Sequence, residues 1–163
     1  MVMTPQQKST PHPKMDVVLV SPRIPQNVGN AVRTCAAVGA KLILVRPLGF
    51  SLSDKQLKRA GVTYLDQVPI EIWDDWQPLK ARANVVLFTS KGRNLDARRP
   101  LLEAETLVFG SETDGLSEEI MNFWPDSQLR IPMTSDCRCL NLAVAVAVGV
   151  YHFWQWQGFE GCC

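Results

Sequence analysis

The sequence predicts a single α/β domain whose mostly parallel sheet carries helices on both faces. Three observations support this. Short, nearly continuous apolar runs rich in β-branched residues recur along the chain, as buried parallel strands require. Amphipathic or apolar helical stretches lie between them, the alternation that builds such a sheet. At 163 residues the chain is long enough for one sizeable core and short for two.

Met15–Val20 (MDVVLV) reads as the first buried strand, punctuated by Pro22 and Pro25. A helix follows from about Gln26 to Val38 and stops at Gly39. Its apolar stripe is Val28, Ala31, Val32, Cys35 and Val38, which leaves Asn30 and Arg33 off that stripe. Lys41–Val45 (KLILV) is a second buried strand. A connection through Pro47 and Gly49 leads to a short basic helix, Lys55–Ala60, ended by Gly61. Val62–Val68 reads as a strand, and Ile70–Arg82 as a helix around Trp73 and Trp76.

Asn84–Ser90 (NVVLFTS) is a third long apolar strand, and the polar, basic Lys91–Pro100 reads as a loop. Thr106–Phe109 forms another strand entering Gly110. Ser117 starts a helix ending near Pro125, and Gln128–Ile131 makes the last strand before Pro132. Leu140–Trp156 opens with LNLAVAVAV, which alternates like a strand. Its length and apolar character favour a helix buried on most sides. The stretch Leu142–Tyr151 is about half the ~20 residues a membrane-spanning helix needs.

The polar start, Met1–Lys14, lacks an apolar signal-peptide core and reads as a flexible tail with Pro5, Pro11 and Pro13. The expected organisation is a tail over 1–14, one domain over 15–157 and a short tail over 158–163, in a cytoplasmic protein. Five cysteines, two of them adjacent at the C-terminus, argue for reduced thiols rather than a disulfide framework. Cys137-x-Cys139 lacks the usual spacing of zinc-binding pairs, so no metal is expected. Net charge is only +1, but it is unevenly spread. Residues 1–100 hold 15 of the 17 basic and 7 of the 16 acidic side chains, a balance of +8, and residues 101–163 come to −7. That asymmetry fits a basic face for an anionic partner.

Three polar clusters fall at strand ends, where ligands bind in open α/β sheets. The first runs Pro25-Gln-Asn27-Val-Gly29-Asn30-Ala-Val-Arg33. A helix N-terminus there offers backbone N–H groups to a phosphate, and Arg33 adds a guanidinium; taken alone, the cluster reads more readily as a capped helix with a solvated arginine. The second, Phe109-Gly110-Ser111-Glu112-Thr113-Asp114-Gly115-Leu116, is a glycine-flanked turn in which Gly110 permits close backbone approach and Glu112 accepts hydrogen bonds. It is not a dinucleotide fingerprint. The third, Ile131-Pro132-Met133 followed by Cys137-Arg138-Cys139-Leu140-Asn141-Leu142, leads into the apolar helix, with Asn141 either an N-cap or a buried polar anchor.

Taken in order, N-x-G-N-x-x-R, F-G-x-E-x-x-G-L and I-P-M…R-x-L-N-L resemble the motifs of the SPOUT methyltransferases. The chain is most similar to the small single-domain members that 2′-O-methylate the wobble nucleotide of tRNA. The likeness covers about Met15 to Trp156 and includes Arg46-Pro47-Leu48-Gly49-Phe50 and Leu57-Lys-Arg59-Ala60-Gly61.

The resemblance implies a C-terminal deep trefoil knot, a homodimer, and transfer of a methyl group from S-adenosylmethionine to a tRNA ribose 2′-hydroxyl, leaving S-adenosylhomocysteine. It implies cofactor contacts at Phe88, Thr89, Ser90, Gly110, Ser111, Ile131, Met133, Cys139 and Leu140. Arg33 would be catalytic, with Asn27, Glu112 and Asn141 orienting it. RNA contacts would fall to Arg23, Asn30, Lys55, Lys58, Arg59, Lys91, Arg93, Arg138 and Tyr151. The relatives usually carry serine where this chain has Cys139 and Ala143, and arginine where it has Asp114. These departures leave two alternatives open: another tRNA or rRNA position, or a catalytically silent RNA-binding homologue.

Overall fold

The computed structural model describes residues 15–51, 64–95 and 105–162. Six strands form one sheet: β1 (Asp16–Val20), β2 (Lys41–Val45), β3 (Ile70–Trp73), β4 (Val85–Asn94), β5 (Thr106–Phe109) and β6 (Gln128–Arg130). Their spatial order is β3-β2-β1-β5-β4-β6, and every neighbouring pair is parallel. Side chains alternate across the sheet, so each strand feeds two cores. Val17, Leu19, Leu42, Leu44, Phe88 and Phe109 face one core. Val18, Val20, Ile43, Val45, Leu87 and Val108 face the other.

Helices α1 (Pro25–Val38) and α3 (Leu142–Trp156) cover the first face. The short α2 (Glu118–Phe123) and a 3-10 turn at Gln77–Ala81 cover the second. The expected apolar stripe of α1 is buried throughout, and Asn30 and Arg33 are exposed. Gly39 ends α1 in the left-handed conformation (φ 73°), and the next amide, of Ala40, donates to the Cys35 carbonyl at 2.9 Å. Ser117 caps α2 by accepting from the Ile120 amide. The LNLAVAVAV segment is helical from Leu142, with Val146, Val150 and Phe153 fully buried.

Three expectations need correction. Tyr64–Gln67 is a turn rather than part of a strand over 62–68. Ile70–Arg82 is not a helix: Ile70–Trp73 pairs with β2 as an edge strand, and only Gln77–Ala81 coils, as a 3-10 turn. Pro78 lacks an amide hydrogen and Ile70-Glu71-Ile72-Trp73 alternates, so sheet pairing prevails over the tryptophan spacing. Lys91–Asn94 continues β4 instead of starting a loop; Arg93 and Asn94 pair with Leu129 and Arg130 past an irregularity after Phe88. Residues 158–162 fold back on α3, with the Trp154 indole N–H donating to the Glu160 carbonyl at 2.9 Å. The predicted basic helix at 55–60 lies outside the described residues.

Candidate functional site

Strands β1, β4, β5 and β6 end on the same side, and the segments leaving them wall a cleft of about 480 Å³. That lies within the ~300–1,000 Å³ range of small-molecule sites. Phe88, Thr89 and Ser90 enter from β4; Gly110 and Ser111 from the turn after β5; Ile131, Met133, Cys139 and Leu140 from the segment between β6 and α3. All nine positions expected to meet a cofactor therefore line one cavity.

The floor is set by aromatic packing. Phe88 and Phe109 stack with centroids 4.6 Å apart and planes 8° from parallel. Phe153 of α3 meets Phe88 edge-on at 6.2 Å. Gly149 lets α3 come this close: a Cβ there would lie 2.8 Å from Phe88 Cζ and 3.0 Å from Phe109 Cζ. The turn after β5 is equally tight. Ser111 and Gly115 exchange amide–carbonyl bonds at 3.1 Å, and a Cβ on Gly110 would stand 2.1 Å from the Gly115 carbonyl carbon.

A relay of side chains joins the three strand-end segments. Glu112 Oε2 accepts from the Arg23 amide at 2.8 Å, and Oε1 accepts from the Ile24 amide at 3.1 Å and Asn27 Nδ2 at 2.9 Å. Asn27 Oδ1 accepts from Asn141 Nδ2 at 2.9 Å. Asn141 Oδ1 in turn caps α3 by accepting from the amides of Ala143 and Val144. Asn141 is thus both helix cap and polar anchor.

Burial alone would raise the Glu112 carboxyl. The bonds from the Asn27 side chain and from the backbone amides of Arg23, Glu112 and Ile24 outweigh it and hold the group below its ordinary value. The carboxylate also sits where the orphan amides of α1 begin, which favours negative charge.

Arg33 does not join this relay. From Asn27 it is six residues along α1, a rise of ~9 Å and a rotation of ~240°. Its side chain is exposed and lies over the Tyr64 ring, 5.5 Å from the centroid. The expectation that Asn27, Glu112 and Asn141 orient Arg33 is therefore corrected within one chain: they bind one another instead. Among the expected RNA contacts, Lys91 and Arg138 line the cleft and are exposed. Arg23 is tied to Asp114 at 2.6 Å. Asn30 and Arg93 are exposed, as is Tyr151 on α3. Lys55, Lys58 and Arg59 lie outside the described residues.

Sequence reasoning missed Met121, whose sulfur accepts from the Thr89 hydroxyl at 3.7 Å, and Arg130, both on the cleft wall. Nothing in the local pattern of α2 marks Met121 as more than a core residue. Among the described residues no group of three metal-ligating side chains converges, and no helix is long and apolar enough to cross a membrane.

Comparison with known proteins bears on this arrangement. The profile of the SpoU rRNA Methylase family matches residues 14–151. A tRNA (cytidine(34)-2′-O)-methyltransferase of Burkholderia cenocepacia is 41% identical over 152 residues, covering 90% of this chain and 97% of the relative. One from Methylovorus glucosotrophus is 41% identical over 150 residues with the same coverage. A solved structure giving insights into the 2-OH methylation of C/U34 on tRNA superposes with a TM-score of 0.81 at 39% identity, covering 89% of this chain and 97% of that one. An AdoMet-bound rRNA methyltransferase from Sinorhizobium meliloti superposes at 0.77 with 26% identity, over 89% of this chain and 58% of that one. With its three strand-end motifs gathered around one cleft and relatives matched along nearly their whole length, the chain belongs to the SpoU rRNA Methylase family.

Proposed function

We propose that the chain transfers the methyl group of S-adenosylmethionine to a ribose 2′-hydroxyl of tRNA, at the wobble nucleotide 34. The observation that carries this is the single cleft formed by all nine expected cofactor positions, in a chain 41% identical to tRNA (cytidine(34)-2′-O)-methyltransferases.

The cleft suits that cofactor on its own terms. Phe88, Leu116, Ile131, Leu140 and Leu142 give apolar walls for an adenine ring. The 131–140 segment makes one internal backbone bond among the described residues, Cys137 N–H to the Thr134 carbonyl at 3.1 Å, leaving amides and carbonyls for the base edge. Gly110 lets the turn after β5 close on itself at the cleft wall, where a Cβ would strike the Gly115 backbone. Bound there, S-adenosylmethionine supplies an electrophilic methyl group on a sulfonium centre. The relay through Glu112, Asn27 and Asn141 holds the three walls in register, so the protein contributes alignment and exclusion of water.

Arg33 binds the RNA phosphate and stabilises the charge that develops on the 2′-oxygen. A guanidinium offers N–H donors and no acceptor atom, so this role is positioning and charge stabilisation, not proton abstraction. Because Arg33 stands outside its own chain's cleft, we assign it to the cleft of a second copy in a homodimer. An exposed apolar stripe on α3 supports such an assembly: Val144 is 48% exposed, Val148 39% and Tyr151 44%. One catalytic domain over residues 15–157 follows, and a tRNA substrate implies a cytoplasmic enzyme. We also assign the family's trefoil knot to the segment from β6 to α3. Its support is the family match over residues 14–151, which spans both of these elements.

The test is methyl transfer from S-adenosylmethionine to unmodified tRNA, with the product mapped nucleotide by nucleotide. Modification at position 34, lost in Arg33→Ala with folding intact, is expected. Modification at another nucleotide would reassign the substrate, full activity of Arg33→Ala would remove the role of Arg33, and RNA binding without cofactor binding would identify a silent homologue.

A further inference from the structure

The side chain that Arg33 touches has no role in the site as described so far. Tyr64 opens the turn before β3, closed by the Gln67 amide donating to the Tyr64 carbonyl at 3.0 Å. Its ring is half-buried and packs against the core cluster that also includes the buried face of α1. The Arg33 guanidinium carbon sits 5.5 Å from the centre of that ring. No carboxylate among the described residues bridges Arg33.

A long cationic side chain on an exposed helix face samples many rotamers, and ordering it when substrate arrives costs free energy. A carboxylate could order it, but would occupy the N–H donors that a phosphate or a 2′-oxygen needs. Arg23 shows that situation, with its guanidinium bonded to Asp114 at 2.6 Å. An aromatic face attracts the cation through its quadrupole and leaves the in-plane donors free. Because Tyr64 is anchored in the core, it offers a fixed platform and no competing negative charge.

We propose that Tyr64 is a positioning residue for methyl transfer: its ring holds the Arg33 guanidinium in the orientation that meets the RNA while leaving the N–H edge open. This rests on the role assigned to Arg33 above. Tyr64 is not among the residues that line the cleft of its own chain, so its effect is expected in turnover and not in cofactor affinity.

The experiment compares Tyr64→Leu, Tyr64→Phe, Arg33→Ala and Arg33→Ala/Tyr64→Leu in the full-length protein. Steady-state methyl transfer to tRNA, calorimetric affinity for S-adenosylmethionine and thermal midpoints are measured for each. Tyr64→Leu is expected to lower kcat about tenfold, the scale of one cation–π contact, with cofactor affinity unchanged. Tyr64→Phe restores the ring and is expected to recover kcat to within about twofold. In the Arg33→Ala background, Tyr64→Leu is expected to have no further effect on the residual rate.

A Tyr64→Leu enzyme with wild-type kcat, beside an inactive Arg33→Ala, overturns the role of Tyr64 alone. So does a loss of cofactor affinity matching the loss of rate, an equal loss in both Arg33 backgrounds, or failure of phenylalanine to rescue. Full activity of Arg33→Ala overturns the assignment of Arg33 and this one with it.

Discussion

Asn141 donates its side-chain amide to Asn27 Oδ1 at 2.9 Å, across 114 positions of sequence. Neither amide is free to flip. Ionised Glu112 only accepts hydrogen bonds, so Asn27 must turn its NH₂ toward it and its oxygen toward Asn141. Asn141 then keeps its own oxygen for the first amides of α3. One carboxylate thereby fixes the polarity of the chain from the β5 turn to the last helix.

This relay makes Asn27 the most sensitive of its members. The residue is 4% exposed and both polar ends of its side chain are used. Asn27→Ala leaves Glu112 and Asn141 short of a partner each, and is expected to cost roughly 2–4 kcal/mol. Asn27→Asp faces one carboxylate with another and is expected to be at least as damaging at neutral pH and milder in acid. Urea denaturation at pH 7 and pH 4 checks both. A loss within about 0.5 kcal/mol, the range of an ordinary surface substitution, would show that the relay is dispensable.

Glu112 predicts how stability follows pH. Its pKa in the folded chain lies below the ordinary carboxylate value, held there by the Asn27 side chain and the backbone amides around it. The unfolded chain therefore binds the proton more readily, and the stabilisation is present above the unfolded pKa and fades as pH falls through the folded value. Glu112→Gln keeps the shape but has a single acceptor oxygen, so at pH 7 a loss of about 1–3 kcal/mol is expected. The difference between wild type and Glu112→Gln is expected to hold constant from pH 7 down to about pH 5, then narrow below ~4.5. A gap that widens in acid would contradict the assignment.

Asp114 holds Arg23 at 2.6 Å on the rim of the cleft. Hydrogen bonds from Thr113 and Arg23 keep its carboxyl below the ordinary value, so it is charged at neutral pH. Both side chains are largely exposed, and such pairs contribute little to folding. Asp114→Asn is therefore expected to leave the thermal midpoint in place. It removes a negative charge beside Arg23 and frees the Arg23 guanidinium; if Arg23 contacts RNA, tRNA affinity is expected to rise, with a steeper fall as salt increases. Filter binding at two ionic strengths measures this, and unchanged affinity and salt slope would remove Arg23 from the RNA surface.

How much of this was legible follows from where each signal resides. Apolar runs such as Met15–Val20 and Lys41–Val45 declare buried parallel strands because both of their faces are covered. The edge strand Ile70–Trp73 is covered less completely, and the helical spacing of Trp73 and Trp76 suggested the wrong element. Lys91–Asn94 is polar because it is solvent-facing, and its pairing with β6 depends on a partner more than 30 residues away. The cleft was legible for a different reason: its residues sit at strand ends, where topology alone gathers them. The distance of Arg33 from its own cleft was not, since a motif read along the chain does not show how far apart the fold leaves its members.

That last point gives the sharpest test of the assembly. In Gly110→Ala the added Cβ would fall 2.1 Å from the Gly115 carbonyl carbon, so the cofactor wall must shift and the variant is expected to be inactive. Arg33→Ala has an intact cleft and lacks the guanidinium. If Arg33 serves the cleft of its own chain, a mixture of the two remains inactive. If it serves the cleft of a second copy, each mixed dimer contains one complete site: the cleft of the Arg33→Ala chain with Arg33 from the Gly110→Ala chain. Random reassortment of equal amounts makes half of the dimers mixed, each with one of its two sites complete, so about a quarter of wild-type activity is expected. Co-expression with two affinity tags, followed by isolation of the mixed species, is expected to raise that to about half. Persistent inactivity of the isolated mixed dimer would place Arg33 and the cleft in the same chain, and would require α1 to move when RNA binds.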